Sequence, residues 1–130
     1  MQGQSRQPER NLGSVWEPFF YAMKGDPTLG RPGMNNEFRY KTVNSDDKVH
    51  PTERPIELIE DILTTFHPIV NHIMVPFLGS GNTLLAAANQ GISGFGFDLS
   101  QDYKNSYLAR VQRGTPREYK SYDRILPAEG

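Results

Sequence analysis

The chain has 130 residues, enough for one domain of ordinary size. Its 14 Lys and Arg nearly cancel 15 Asp and Glu, so no basic excess advertises nucleic acid. A DNA partner would have to be placed by something other than net charge. With no cysteine, disulfides and thiolate metal sites are excluded. Neither a basic-then-apolar leader nor an apolar run of about 18 residues points to secretion or a membrane span, and a cytoplasmic location is expected.

Residues 1–13 are polar and read as a loose arm. Residues 14–24 crowd Val15, Trp16, Phe19, Phe20 and Tyr21 together, which predicts a strand, with Pro18 favouring an edge or a bulge. Residues 25–49 carry three Gly, two Pro and three Asn and read as a long loop, with room for a short strand at "FRYKTV". A helix follows: Pro55 suits a first turn, and Ile59, Ile62, Leu63 and Phe66 recur on one face. "VNHIMVPF" predicts a strand. Asn82 to Gln90 predicts a helix that stops at Gly91. "SGFGFDL" predicts a second strand whose glycines pack closely against a neighbour. Ser100 caps a last helix with Tyr103, Tyr107, Leu108 and Val111 on one face, ended by Gly114 and Pro116. The polar tail 113–130 offers at most one short element around Tyr119, Tyr122, Ile125 and Leu126. Strands alternating with helices imply an α/β fold with a parallel sheet.

In such a sheet, ligands bind at the carboxyl ends of the strands. The turn "FLGSG" lies there, and its glycines let a ligand approach the backbone ahead of a helix N-terminus. Asp98 follows Gly81 by 17 residues, at the end of the next strand. A carboxylate so placed can accept hydrogen bonds from both hydroxyls of a ribose, with Phe77 and Leu99 flanking an adenine. The plain alternative is a turn built for packing and an Asp that only caps. No Lys follows the turn, which argues against a phosphate loop, and the third glycine of a dinucleotide site is missing.

"HPTERPIELIEDIL" followed by "VPFLGSGNTLLAAANQGISGFGFDLSQDY" resembles the carboxyl-terminal half of amino-group DNA methyltransferases. These are the S-adenosylmethionine-dependent enzymes acting on adenine N6 or cytosine N4. The His-Pro-Thr segment, then Asp-Pro-Phe-x-Gly-Ser-Gly-Thr-Thr, then an acid ending the next strand looks like the class whose cofactor half follows its catalytic half. "VWEPFFYAMKG" looks like the hairpin strand upstream of it in many members, phage-borne ones among them. The resemblance spans residues 14–112 and implies a partial, Rossmann-like methyltransferase fold. Carried over by residue, Thr52, Arg54 and Pro55 would help form the cofactor pocket. Phe77, Gly79, Ser80, Gly81, Asn82, Thr83 and Leu99 would line it, and Asp98 would hold the ribose. Two positions depart: the family's Asp before Pro-Phe is Val75, which should weaken cofactor binding, and the first Thr after Gly-Ser-Gly is Asn82.

The larger departure is catalytic. The family's Asp/Asn/Ser-Pro-Pro-aromatic segment, which receives the flipped base, has no intact copy among the 130 residues. The nearest string, "EPFF" at 17–20, lacks the second proline and reads as a strand with buried aromatics and an exposed or paired Glu17. In this class the segment would lie upstream, so a truncated frame or natural fragment is expected, with no catalytic residue of its own. Three readings stand: the S-adenosylmethionine-binding part of the enzyme, a non-catalytic binding or accessory module, or another reaction on the same cofactor. His50, His67 and His72 lack metal-site spacing, and His50 suits a loop-fixing hydrogen bond. Arg31, Arg39, Lys41 and Lys48 in the 25–49 loop could meet DNA phosphates, although Glu37, Asp46 and Asp47 dilute them and favour a solvated loop. A sheet this small leaves an open edge, so a homo-oligomer or a second chain is expected to cover it. For a phage-borne chain the location would be the bacterial host cytoplasm.

Overall fold

The computed structural model describes residues 16–41, 43, 48, 50–66 and 72–114. The expected arm over 1–13, the tail beyond 114 and His67 lie outside the described residues. The element order is α1 (Ile56–Phe66), β1 (His72–Val75), α2 (Asn82–Asn89), β2 (Ser93–Gly96) and α3 (Gln101–Arg113). β1 and β2 pair in parallel, His72 opposite Ser93 and Val75 opposite Gly96. This is the alternating α/β order that the periodicities predict.

α2 sits at the centre. Its Leu85, Ala86 and Ala87 are buried against Ile56 and Leu63 of α1, with Ile59, Ile73, Ile92 and Tyr107 packed around them. Small side chains at 86 and 87 let α1 approach closely, while Leu85 supplies the largest buried volume on this helix. Truncating it to alanine should cost about 2–5 kcal/mol. Polar rungs join the same two helices at their far end: Gln90 donates to the Glu60 carbonyl at 2.8 Å and to the Thr64 hydroxyl at 3.1 Å.

α2 ends in a Schellman arrangement. Gly91 takes φ 72°, its N–H donates to Ala88 O at 3.0 Å, and Ile92 N donates to Ala87 O at 2.9 Å. Ile92 is thereby turned into the core as β2 begins. On β2, a Cβ at Gly94 would lie 2.5 Å from Leu84 Cδ2, and one at Gly96 2.7 Å from Leu78 Cδ1. The two glycines therefore let α2 and its entry turn lie directly on the sheet. On the opposite face of the sheet, Met74, Phe95 and Phe97 are exposed.

Several expectations fail in informative ways. Residues 16–24 form no strand. Their rings gather on the end of α1 instead: Tyr21 lies 4.2 Å and Phe19 6.0 Å from the Phe66 ring, and Phe38 joins them. The aromatics of "EPFF" are not buried either, Phe20 being fully exposed. Among the described residues of "FRYKTV", Tyr40 forms an isolated bridge. On α3, Ser100 does cap the helix, its hydroxyl accepting from Tyr103 N at 3.4 Å. Leu108 and Val111, however, are exposed, and the inward side is formed by Tyr103, Tyr107 and Arg110.

Among the described residues no helix is long and apolar enough to cross a membrane. No group of three or more His, Cys, Asp or Glu side chains among them could hold a metal ion.

Candidate functional site

The turns that leave β1 and β2 are stitched together at the carboxyl end of the sheet. Phe97 N donates to Val75 O at 3.0 Å, and Leu78 N donates back to Phe97 O at 2.8 Å. One step further, Asp98 takes over from the backbone. Its Oδ2 accepts from Gly79 N and its Oδ1 from Ser100 N, each at 2.8 Å. These bonds, Ser100 before Gly79, hold the Asp98 carboxyl below its ordinary range and so keep it ionised. The carboxylate is exposed and open to a further donor.

Between the strands and α2 the chain must turn sharply, and two glycines in the left-handed region allow it: Gly79 at φ 55° and Gly81 at φ 81°. Gly81 is the residue before α2, and no side chain caps that helix. At Gly81 a substituent is also excluded by contact, whereas at Gly79 only the backbone conformation argues against one. A Cβ at Gly79 would touch the His50 ring at 3.4 Å, and one at Gly81 would fall 2.4 Å from Tyr107 Cδ2.

The segment 50–55 packs under this turn. Thr52 N donates to His50 Nδ1 at 3.2 Å, and the Thr52 hydroxyl lies 3.0 Å from the same nitrogen. The His50 ring meets Tyr103 of α3 edge-on at 4.6 Å. His50 thus fixes the loop between the glycine turn and α3. Arg54 pairs with Glu17 and donates to the Thr52 carbonyl. Pro55 is buried at the start of α1.

The eleven residues singled out from the sequence therefore converge, but they face different ways. Gly79, Asp98, Phe77 and Leu99 lie on the open rim, the two apolar side chains almost wholly exposed. Thr52 is exposed and Thr83 half-buried. Ser80 and Asn82 are buried and act on the chain itself. The Asn82 amide nitrogen donates to Glu53 Oε1 at 2.9 Å and to the Arg54 carbonyl at 2.7 Å, while its oxygen accepts from Arg110 at 2.7 Å. Glu53 and Arg110 escaped the sequence reading. Glu53 lies between two motif residues, and a lone arginine on a helix with exposed apolar residues carries no signal of its partner.

In the 16–41 segment, Arg31 is turned inward onto Asp61 and Thr65, and Arg39 is paired with Glu37 at 3.0 Å. Lys48 donates to the Pro51 carbonyl at 3.4 Å.

Comparison with known proteins supplies the family. The sequence model described as DNA methylase, of the N6/N4 type, matches residues 1–109. The putative methylase YubD of Escherichia coli K12 is 32% identical over 121 residues, 89% of this chain and 52% of YubD. The type II methyltransferase M.ScaI of Streptomyces caespitosus is 35% identical over 63 residues, 48% of this chain and 21% of its own. M.BglII of Bacillus subtilis is 27% identical over 104 residues, covering 79% and 29%. The chain thus spans about half the length of YubD and less of the other two. Among solved structures, the M1.HpyAVI–SAM complex aligns with a TM-score of 0.52 at 26% identity, over 64% of this chain and 43% of that one. Shared backbone and matched sequence agree that the sheet and its helices are part of a Rossmann-like methyltransferase fold, and that this chain belongs to the N6/N4 DNA methylase family.

Proposed function

We propose that this chain is the S-adenosylmethionine-binding part of a DNA methyltransferase acting on adenine N6 or cytosine N4. The observation that carries the reading is the bond from Gly79 N to Asp98 Oδ2, which sets an ionised carboxylate beside a bare glycine turn at the carboxyl end of a parallel sheet. The exposed carboxylate suits a ribose diol, and exposed Phe77 and Leu99 suit the two sides of an adenine. The fit is supported by the SAM bound in the aligned structure of M1.HpyAVI. Thr52, Gly79 and Thr83 would contact the ligand directly. Ser80, Asn82 and Pro55 would shape the pocket from behind, and Arg54 would do so through Glu17 and the Thr52 carbonyl. S-adenosylmethionine supplies an activated methyl group when bound. The chain's own residues bind and orient it. The accepting amine would be held by a Pro-Pro-aromatic segment, which these 130 residues do not include.

Calorimetric titration with S-adenosylmethionine tests this. Binding by the native chain, lost in Asp98→Ala while the fold persists, is expected. A folded chain that shows no heat of binding would refute the reading.

A second reading, a binding or accessory module without methyl transfer, is favoured by Val75 where the family has an acid and by the missing segment. Incorporation of labelled methyl groups into DNA by the isolated chain would exclude it. DNA contact through residues 25–49 would rest on Lys41 and Lys48, because Arg31 and Arg39 are committed to acids within the chain. The two-stranded sheet, with Met74, Phe95 and Phe97 exposed beside its edges, supports a homo-oligomer or a second polypeptide covering the open edge. A monomer at high concentration in sedimentation would count against that.

A further inference from the structure

Arg110 lies on α3, outside both motif segments, yet it reaches both of them. Its Nη1 donates to the Ser80 carbonyl at 3.0 Å and to Asn82 Oδ1 at 2.7 Å. The same nitrogen stands 3.8 Å from Glu53 Oε1, whose side chain is 5% exposed. Glu53 also accepts from the Asn82 amide, and Asn82 in turn holds the Arg54 carbonyl. One guanidinium therefore closes a knot that joins the glycine turn to segment 50–55.

The knot has a single polarity. Asn82 uses both amide hydrogens on acceptors and its oxygen on a donor. A flipped amide would aim oxygen at the Glu53 carboxylate and the Arg54 carbonyl, and nitrogen at the guanidinium. Arg110 thus sets the Asn82 orientation, compensates a carboxylate withdrawn from water, and holds the carbonyl in the middle of the turn. One helical turn earlier, the Tyr107 ring abuts Gly81 from the same helix. α3 therefore fixes the turn at two successive residues on its inner face.

We propose that Arg110 is a positioning residue for S-adenosylmethionine: it holds the Gly79–Gly81 turn at the spacing from segment 50–55 that the ligand needs. This rests on the S-adenosylmethionine reading above. It differs from plain structural support, because stability and ligand affinity should separate.

The test compares the native chain with Arg110→Met and with the double variant Arg110→Met, Glu53→Gln. Arg110→Met is expected to lower the melting temperature and to weaken S-adenosylmethionine binding about tenfold, the scale of a lost charge-assisted hydrogen bond. The double variant also removes the buried charge at position 53, so its melting temperature should return toward the native value. Its affinity should stay about tenfold weak, since the Ser80 carbonyl and Asn82 Oδ1 remain unheld. Native affinity in the double variant would overturn the proposal. Amide exchange supplies a readout that needs no ligand. In the double variant the 79–83 amides should exchange about tenfold faster while those of 85–87 keep their protection. Unchanged exchange at 79–83 would overturn the proposal even if the native chain bound no S-adenosylmethionine, an outcome that by itself refutes only the cofactor reading.

Discussion

Arg31 and Arg110 meet the same kinds of partner in two parts of the molecule. Arg31 donates to the Asp61 carboxylate, to the Asp61 carbonyl and to the Thr65 hydroxyl. Arg110 donates to a carbonyl and an amide, with Glu53 alongside. The acids are similarly withdrawn, their side chains 15% and 5% exposed. What each guanidinium holds is different. Arg31 anchors the 16–41 segment to the later turns of α1, where Gly30 N also donates to the Thr65 carbonyl at 2.9 Å. Arg110 shapes a turn that faces open space. Equal bonding chemistry therefore has unequal meaning, decided by whether the held backbone borders the candidate site.

The largest effect is expected where that site allows no substituent. Gly81→Ala combines a left-handed backbone with a Cβ 2.4 Å from the Tyr107 ring, and should destabilise by roughly 2–4 kcal/mol in denaturant titration. A loss below about 0.5 kcal/mol would mean that α3 swings away freely and does not brace the turn. Next comes the direct contrast. Arg31→Met should cost about 1–3 kcal/mol, moderated by the 29% exposure of its side chain, yet leave S-adenosylmethionine affinity within about twofold. Equal weakening by Arg31→Met and Arg110→Met would erase the distinction between the two clamps.

A smaller effect belongs to Asp98. Its folded carboxyl titrates below the unfolded one, so its stabilising share is complete above the ordinary carboxylate range and fades as pH falls through the lower folded value. Acid titration of the native chain and Asp98→Asn should therefore give curves that converge only below that range. Convergence already at neutral pH would show that the two backbone bonds contribute nothing. Smallest of all is the exposed Arg39–Glu37 pair, where Arg39→Ala should leave the denaturation midpoint unchanged. A lowered midpoint would give the 25–49 loop a structural weight that its surface position does not suggest.

Much of this arrangement was legible in the sequence because local rules govern it. Glycine at 91 stops α2, Ser100 caps α3, and Gly94 and Gly96 announce close packing before any neighbour is known. The aromatic cluster departs from its expected strand for a physical reason. Trp16 to Tyr21 have strand propensity, but propensity finds no partner strand there, and ring contacts with Phe66 prevail. By spacing, Leu108 and Val111 share a face with Tyr103 and Tyr107, yet they lie more exposed than the two tyrosines, because the helix turns its tyrosines and Arg110 toward the glycine turn. Glu53 and Arg110 were invisible because side-chain pairing between residues 57 positions apart depends on the completed fold.

The register of the sheet bears on how this chain folds. His72 pairs with Ser93 and Val75 with Gly96, 21 positions later in each case, and α2 fills the interval. No ladder bond is local, so strand pairing must wait until that loop is closed. α2 is the element able to close it, by seating Leu84 over Gly94 and Gly96. Docking of Leu84 is thus expected to belong to the rate-limiting step, with Leu84→Ala slowing refolding more than it speeds unfolding. Stopped-flow kinetics showing the effect only on the unfolding limb would place strand pairing ahead of the helix.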